Sequence, residues 1–100
     1  MGVRPAVREA TWTERWWKSY ARLPAARQAS CDRVVMSLIK GQEPPGVRVK
    51  PIQPDKHYSE ARVSSGDRIV FRGEGGGLCF VDIVSHDDIS RYARRPRGGR

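Results

Sequence analysis

One hundred residues suffice for one core but not two, since a chain this short buries only about 60 to 65% of the surface its unfolded form exposes. Nineteen Lys and Arg against eleven Asp and Glu leave a net charge of +8 and a pI near 10.3. That balance points to a polyanionic partner, nucleic acid first and an acidic protein second, with a merely solvated basic surface as the plain alternative. No apolar run reaches the length of a secretory core or a membrane span, and Ala6 stands where a myristoylation signal needs Ser or Thr, so the expected setting is cytoplasmic.

In chain order, Val3 to Ala10 can form a short edge strand, although Pro5 argues against it. Thr11 and Glu14 have capping-box spacing, and Trp12, Trp16, Tyr20 and Leu23 then recur at helical intervals, which predicts a first helix over about 12–22. Trp17 cannot face the same way as Trp16, so one tryptophan is expected at an edge of the core or an interface. Pro24 fits the first turn of a second helix over 25–40, closed by Gly41. Ala26, Ala29, Val34, Val35, Leu38 and Ile39 form its apolar stripe, and Arg27, Gln28, Asp32, Arg33 and Lys40 its solvated side. Pro44-Pro45, Pro51 and Pro54 keep the following connection irregular, with a brief extended stretch at Val47 to Lys50. Cys31 and Cys79 fall inside a helix and a strand without metal-type spacing to either histidine, and read as buried reduced thiols.

From Tyr58 onward the pattern changes to a three-stranded antiparallel meander, reversed at Ser64-Ser65-Gly66-Asp67 and again at Glu74-Gly75-Gly76-Gly77. Period-2 alternation puts Glu60 and Arg62 opposite Ala61 and Val63, and Arg68 and Arg72 opposite Ile69 and Phe71, so one sheet face carries arginines and a carboxylate. Leu78 to Val84 is apolar on both faces except for Asp82, as expected of a strand covered on both sides, and it delivers Ser85-His86-Asp87-Asp88 at its end. A short helix over 87–94 follows, with Ile89, Tyr92 and Ala93 on one side. Residues 96–100 read as a basic, flexible tail with too little apolar content to fold alone.

Two helices followed by such a meander resemble the RelE/ParE superfamily of toxins from bacterial toxin-antitoxin systems. Tyr20-Ala21-Arg22-Leu23-Pro24, Arg62-Val63 followed by Arg68-Ile69-Val70-Phe71, and His86-Asp87-Asp88-Ile89 followed by Arg91-Tyr92 each look like that superfamily's recurring patterns. The chain is similar also to RelE-like domains at the front of some UvrD-type helicases, where a histidine and paired aspartates end the last strand. The resemblance covers about residues 12–95. It implies an α+β fold, two N-terminal antiparallel helices on a three- to four-stranded antiparallel sheet with a short C-terminal helix, residues 1–95 forming one domain. It implies further an endoribonuclease that cuts mRNA, in many members inside the ribosome, without metal or other cofactor, and is held inactive by a cognate antitoxin.

Metal-free RNA cleavage needs a base for the ribose 2′-hydroxyl, cations for the charged phosphorane and an acid for the departing 5′-oxygen. Arg68 matches the arginine that opens the superfamily's strand motif and suits the cation role through its planar fork; Arg62 would add to the same field. His86 is the natural proton-transfer group and Glu60 its counterpart. Arg72, Lys56, Asp87 and Tyr92 complete the expected substrate contacts, against the plainer readings that the aspartates cap the last helix and that Tyr92 belongs to the core. Two departures stand out: Ser90 occupies a position often aromatic in the superfamily, and Glu60 one where some ribosome-dependent members carry lysine. A ParE-type gyrase poison and an inert RNA- or protein-binding module share the fold. A histidine close to the arginine face favours the ribonuclease over both.

Overall fold

A computed structural model of the protein describes residues 9–42, 46–52 and 57–93. The expectations for residues 3–8, Lys56 and the 96–100 tail fall outside them. Nine elements follow one another: β1 (Ala10–Trp12), α1 (Glu14–Ala21), α2 (Ala25–Ile39), β2 (Lys50–Pro51), β3 (Ser59–Arg62), β4 (Asp67–Glu74), β5 (Gly77–Ser85), a 3-10 turn (His86–Asp88) and α3 (Ser90–Ala93). The strands form one five-stranded sheet in the order β1-β5-β4-β3-β2.

The meander forms as the alternation predicts, with β3 antiparallel to β4 and β4 to β5. Gly75 and Gly76 take φ of +60° and +85°, the pair of left-handed residues that a two-residue turn needs to match strand twist. Gly77 is required for a different reason: a Cβ there would strike the Glu9 carbonyl, which accepts from Leu78 N–H. The sheet exceeds the expected three or four strands because β1 adds a parallel edge to β5, in register Ala10 with Leu78 and Trp12 with Phe80, and β2 pairs Lys50 with Glu60.

That parallel pairing also moves the start of α1. Trp12 belongs to the strand, and the helix is capped by Thr13, not by Thr11: the Thr13 hydroxyl accepts from Trp16 N–H at 3.0 Å while donating to the Val81 carbonyl at 2.7 Å. One side chain thus starts the helix and fixes it to β5. Pro24 stands at the N-cap of α2, one position before the expected first turn, and its carbonyl accepts from Arg27 and Gln28 N–H. The two helices are tied by the Tyr20 hydroxyl on Asp32 and the Gln28 amide on the Tyr20 carbonyl.

Both helices cover one sheet face. Trp16 from α1 and Cys31, Val34, Val35, Leu38 and Ile39 from α2 pack on Ala61, Ile69, Phe71, Leu78, Phe80 and Ile83. The buried stripe of α2 begins at Cys31; Ala26 and Ala29, expected within it, are exposed. The other face carries a smaller buried cluster in which Tyr58, Ile52, Ile89 and Tyr92 pack with Val70, Cys79, Val81 and Val84. Val81 is the extra residue of a β-bulge, since Val70 pairs with Asp82 while Phe71 pairs with Phe80. Both cysteines are free and buried. Trp17 and Trp12 remain 52% and 37% exposed, so the edge position falls to two tryptophans, not one.

Candidate active site

On the sheet face turned away from the helices, register decides what meets. Arg62 pairs with Arg68 and Glu60 with Val70, so Glu60, Arg62 and Arg68 share that face, with Arg68 diagonal to Glu60. Arg68 also pairs with Val84, two residues before His86, which carries the end of β5 to the same corner.

Arg68 is the hub. Its Nη1 donates to the carbonyls of Ser64 at 2.7 Å, Asp67 at 3.2 Å and Ser65 at 3.3 Å; its Nη2 lies 3.0 Å from His86 Nδ1; and its Nε lies 3.5 Å from Glu60 Oε1. Because a guanidinium only donates, His86 Nδ1 accepts and Nε2 carries the hydrogen, so Arg68 sets the imidazole tautomer. The ion pair between Arg68 and Glu60 is largely withdrawn from water, each side chain being 11% exposed.

The turn between β3 and β4 is the cradle of this site. Besides holding Arg68 through three carbonyls, it accepts the His86 backbone N–H on the Gly66 carbonyl at 2.9 Å. Ser64 braces it internally by accepting from Gly66 and Asp67 N–H. From behind, Arg27 of α2, expected to be solvated, clamps the buried Asp67 carboxylate bidentately at 2.6 and 2.9 Å.

The remaining expected residues divide. Arg62, half-buried, pairs with Arg68 across the two strands and makes no ion pair among the described residues. Asp87 is exposed in the turn that begins at His86, and the Ser85 hydroxyl caps that turn by accepting from Asp88 N–H. Arg72 lies on the same face but about 13 Å along β4 from Arg68, where it pairs with Glu74 at 3.7 Å. Tyr92 is not directed to Arg68 or His86. Its hydroxyl donates to Asp82 Oδ2 at 2.6 Å and its ring packs edge-on against Tyr58.

Asp82 explains that placement. Buried at 3% exposure, its carboxylate accepts from the Ser19 hydroxyl of α1 at 2.6 Å, the Tyr92 hydroxyl and Ile83 N–H, joining the first helix, the sheet and the C-terminal segment. Burial, with the Asp82 hydrogen bond next, pushes the Tyr92 phenol well above the ordinary tyrosine range, so the group is a fixed donor and not a proton-transfer group. The one carboxylate inside an apolar strand was the sequence signal for this hub; its partners, far along the chain, were not legible.

No family model matches the sequence, and no curated protein matches it in sequence. In three dimensions the chain is similar to a chain of the E. coli DinJ-YafQ toxin-antitoxin complex, at TM-score 0.68 and 18% identity over 82% of this chain and 96% of that one. It is similar to the YoeB/ParE toxin from Agrobacterium tumefaciens at TM-score 0.64 and 20% identity, over 78% and 98% of the two chains. A chain of the RelB-RelE antitoxin-toxin complex from Methanococcus jannaschii matches at TM-score 0.65 and 13% identity, over 82% and 96%.

Proposed function

We propose that this chain, which has the RelE/ParE toxin fold, is the toxin of a toxin-antitoxin pair and acts as a metal-independent endoribonuclease on mRNA. The observation that carries the reading is the contact of one guanidinium, Arg68, with both a carboxylate, Glu60, and an imidazole, His86. Three kinds of group needed for transesterification of a phosphodiester thus stand side by side, the Arg68 and Glu60 pair buried and His86 exposed at its edge.

In this mechanism the scissile phosphate enters between Arg62 and Arg68. Glu60 removes the proton of the ribose 2′-hydroxyl, and the 2′-oxygen attacks phosphorus. Arg68 turns part of its fork from His86 to the phosphoryl oxygens, where charge develops, and Arg62 adds to the same field. His86 Nδ1, released from Arg68, first takes a proton from a solvent hydronium ion; the imidazolium gives its Nε2 proton to the 5′-oxygen as the P–O5′ bond breaks, and Glu60 returns the 2′-hydroxyl proton to solvent once the products leave. The products are a 2′,3′-cyclic phosphate and a 5′-hydroxyl. Asp87, next to His86 in the chain, would orient the imidazole against the leaving strand.

Single-turnover cleavage across pH tests these roles. His86→Ala is expected to lower the rate by about a hundred- to ten-thousandfold and to abolish the basic limb of the profile, Glu60→Gln to abolish the acidic limb. Arg68→Ala should lower cleavage about a hundredfold or more, and Arg68→Lys should recover only part of it, because an ammonium cannot reproduce the fork. Induction should arrest growth, and a co-expressed antitoxin relieve it. Cleavage by His86→Ala at the parent rate would make His86 a structural residue and overturn this site, and no cleavage by the parent itself would leave an inert binding module as the better account.

A further inference from the structure

The structure holds a second cationic feature that the proposed chemistry does not use. Arg15, Lys18 and Arg22 recur at helical spacing along α1 and, with Arg91 of α3, line a groove of about 520 Å³ whose other wall is β5 from Asp82 to Ser85. Its strand wall ends at Ser85, the residue before His86, and the lining continues to Asp88 and Arg91. We propose that it binds the phosphodiester backbone of single-stranded RNA, as a subsite for the strand leading away from the cleaved bond; this rests on the ribonuclease reading above.

Four observations support the assignment. Among the described residues, Arg15, Lys18 and Arg22 have no ion-pair partner, although carboxylates are near. Those carboxylates are otherwise engaged or placed: Asp82 by the Ser19 and Tyr92 hydroxyls, Asp88 by Arg91 at 3.9 Å, and Glu14 in the first turn of α1, where the helix dipole favours it. The stripe from Arg15 to Arg22 spans about 10 Å of helix, enough to follow more than one phosphate. Finally, the apolar residues in the wall, Ile83 and Val84, are buried at 7% exposure each, so the groove offers no pocket for the apolar anchors by which an amphipathic helix docks. An anionic backbone needs only cations and hydroxyls, which the groove supplies. An amphipathic helix of a partner protein is therefore the disfavoured occupant.

The test uses the full chain with Arg15→Gln, Lys18→Gln and Arg22→Gln combined, and a control carrying Arg33→Gln and Lys40→Gln on the exposed side of α2. Binding of a fluorescent single-stranded RNA is followed over a range of potassium chloride in the His86→Ala background, so that cleavage does not interfere. The triple substitution is expected to flatten the log K against log salt slope by about 2, three phosphate contacts at roughly 0.7 each, and the control to leave it nearly unchanged. With His86 intact, the triple variant should raise KM for a long RNA about tenfold without changing kcat/KM for a dinucleotide too short to reach the groove.

An unchanged slope, an equal fall in the control, or a loss confined to antitoxin affinity would overturn the proposal. Photo-crosslinking of thiouridine-containing RNA to the unsubstituted chain decides the same point without any variant: crosslinks in α1 are expected, and crosslinks elsewhere only would refute it. If the parent binds with the predicted salt response but cuts no RNA, the groove stands and the catalytic reading falls; if it cuts RNA and the slope is unmoved, the reverse holds.

Discussion

Arg68 and Asp82 occupy the same sheet face with opposite consequences. Arg68 is held by carbonyls on one side and shares its other nitrogens between a carboxylate and an imidazole, both of which a phosphate could replace or recruit. Asp82 is closed off by two hydroxyls and a backbone N–H, and Tyr92 is closed off with it. Tyr92→Phe should therefore destabilise the fold by about 1 to 3 kcal/mol, the cost of leaving a buried carboxylate short of a donor, while changing cleavage little. Urea unfolding and single-turnover rates measured on the same variant separate the roles, and a large rate loss with unaltered stability would return Tyr92 to the substrate. The difference in legibility has a physical origin. Glu60, Arg62 and Arg68 could be put on one face from sequence because strand alternation is local, whereas Tyr92 was placed by one hydroxyl finding one carboxylate, a contact no periodicity encodes.

Among the elements, the turn between β3 and β4 connects the helical layer to the candidate chemistry. Arg27 holds Asp67 from α2; the turn carbonyls hold Arg68; Gly66 holds His86. Arg27 touches neither Arg68 nor His86, so its effect on cleavage can only be one of alignment. Arg27→Ala is expected to lower kcat by about ten- to a hundredfold, the range over which small misplacements act, with KM little changed and Arg27→Lys recovering part of the loss by restoring one donor. Kinetics of the two variants check it, and equal kcat in the alanine variant and the parent would show that the turn holds its shape without the clamp. The turn itself was readable from Ser64-Ser65-Gly66-Asp67, but its clamp lies forty residues away in a helix whose arginine looks solvated by pattern alone. The start of α1 was misplaced for a related reason. Thr11 has good capping spacing to Glu14, yet the parallel ladder to β5 claims the backbone of 10–12, and Thr13, with partners on both sides, takes the cap.

For the molecule as a whole, the meander and the two helices were legible because hydrophobic period and turn residues are short-range signals, and the parallel β1 was not, because its pairing joins residue 10 to residue 78. In the helix-sheet interface Cys31 of α2 is fully buried, at 0% exposure. Burial pushes its thiol up to about 11, with the nearby carboxylates of Asp67 and then Asp32 adding to the effect. Tyr92 is raised in the same direction by its own burial and by Asp82. Both shifts have the same sign for stability. Below the unfolded values, 9.0 for the thiol and 10.0 for the phenol, folded and unfolded chains hold these protons equally and the full contribution is present. Above pH 9 the unfolded chain releases a thiol proton that the fold retains, so stability falls with a limiting slope of about 1.4 kcal/mol per pH unit for each such group, and the contribution from Cys31 is exhausted as pH passes through about 11. Urea unfolding of the reduced protein from pH 8 to 11 should show this decline, and Cys31→Ala, though less stable at pH 8 for the cavity it leaves, should decline less steeply between 9 and 11. Parallel curves for the two proteins would mean that the thiol does not report the closure of the interface, and the alkaline loss would then belong to the raised phenols of Tyr92 and Tyr20.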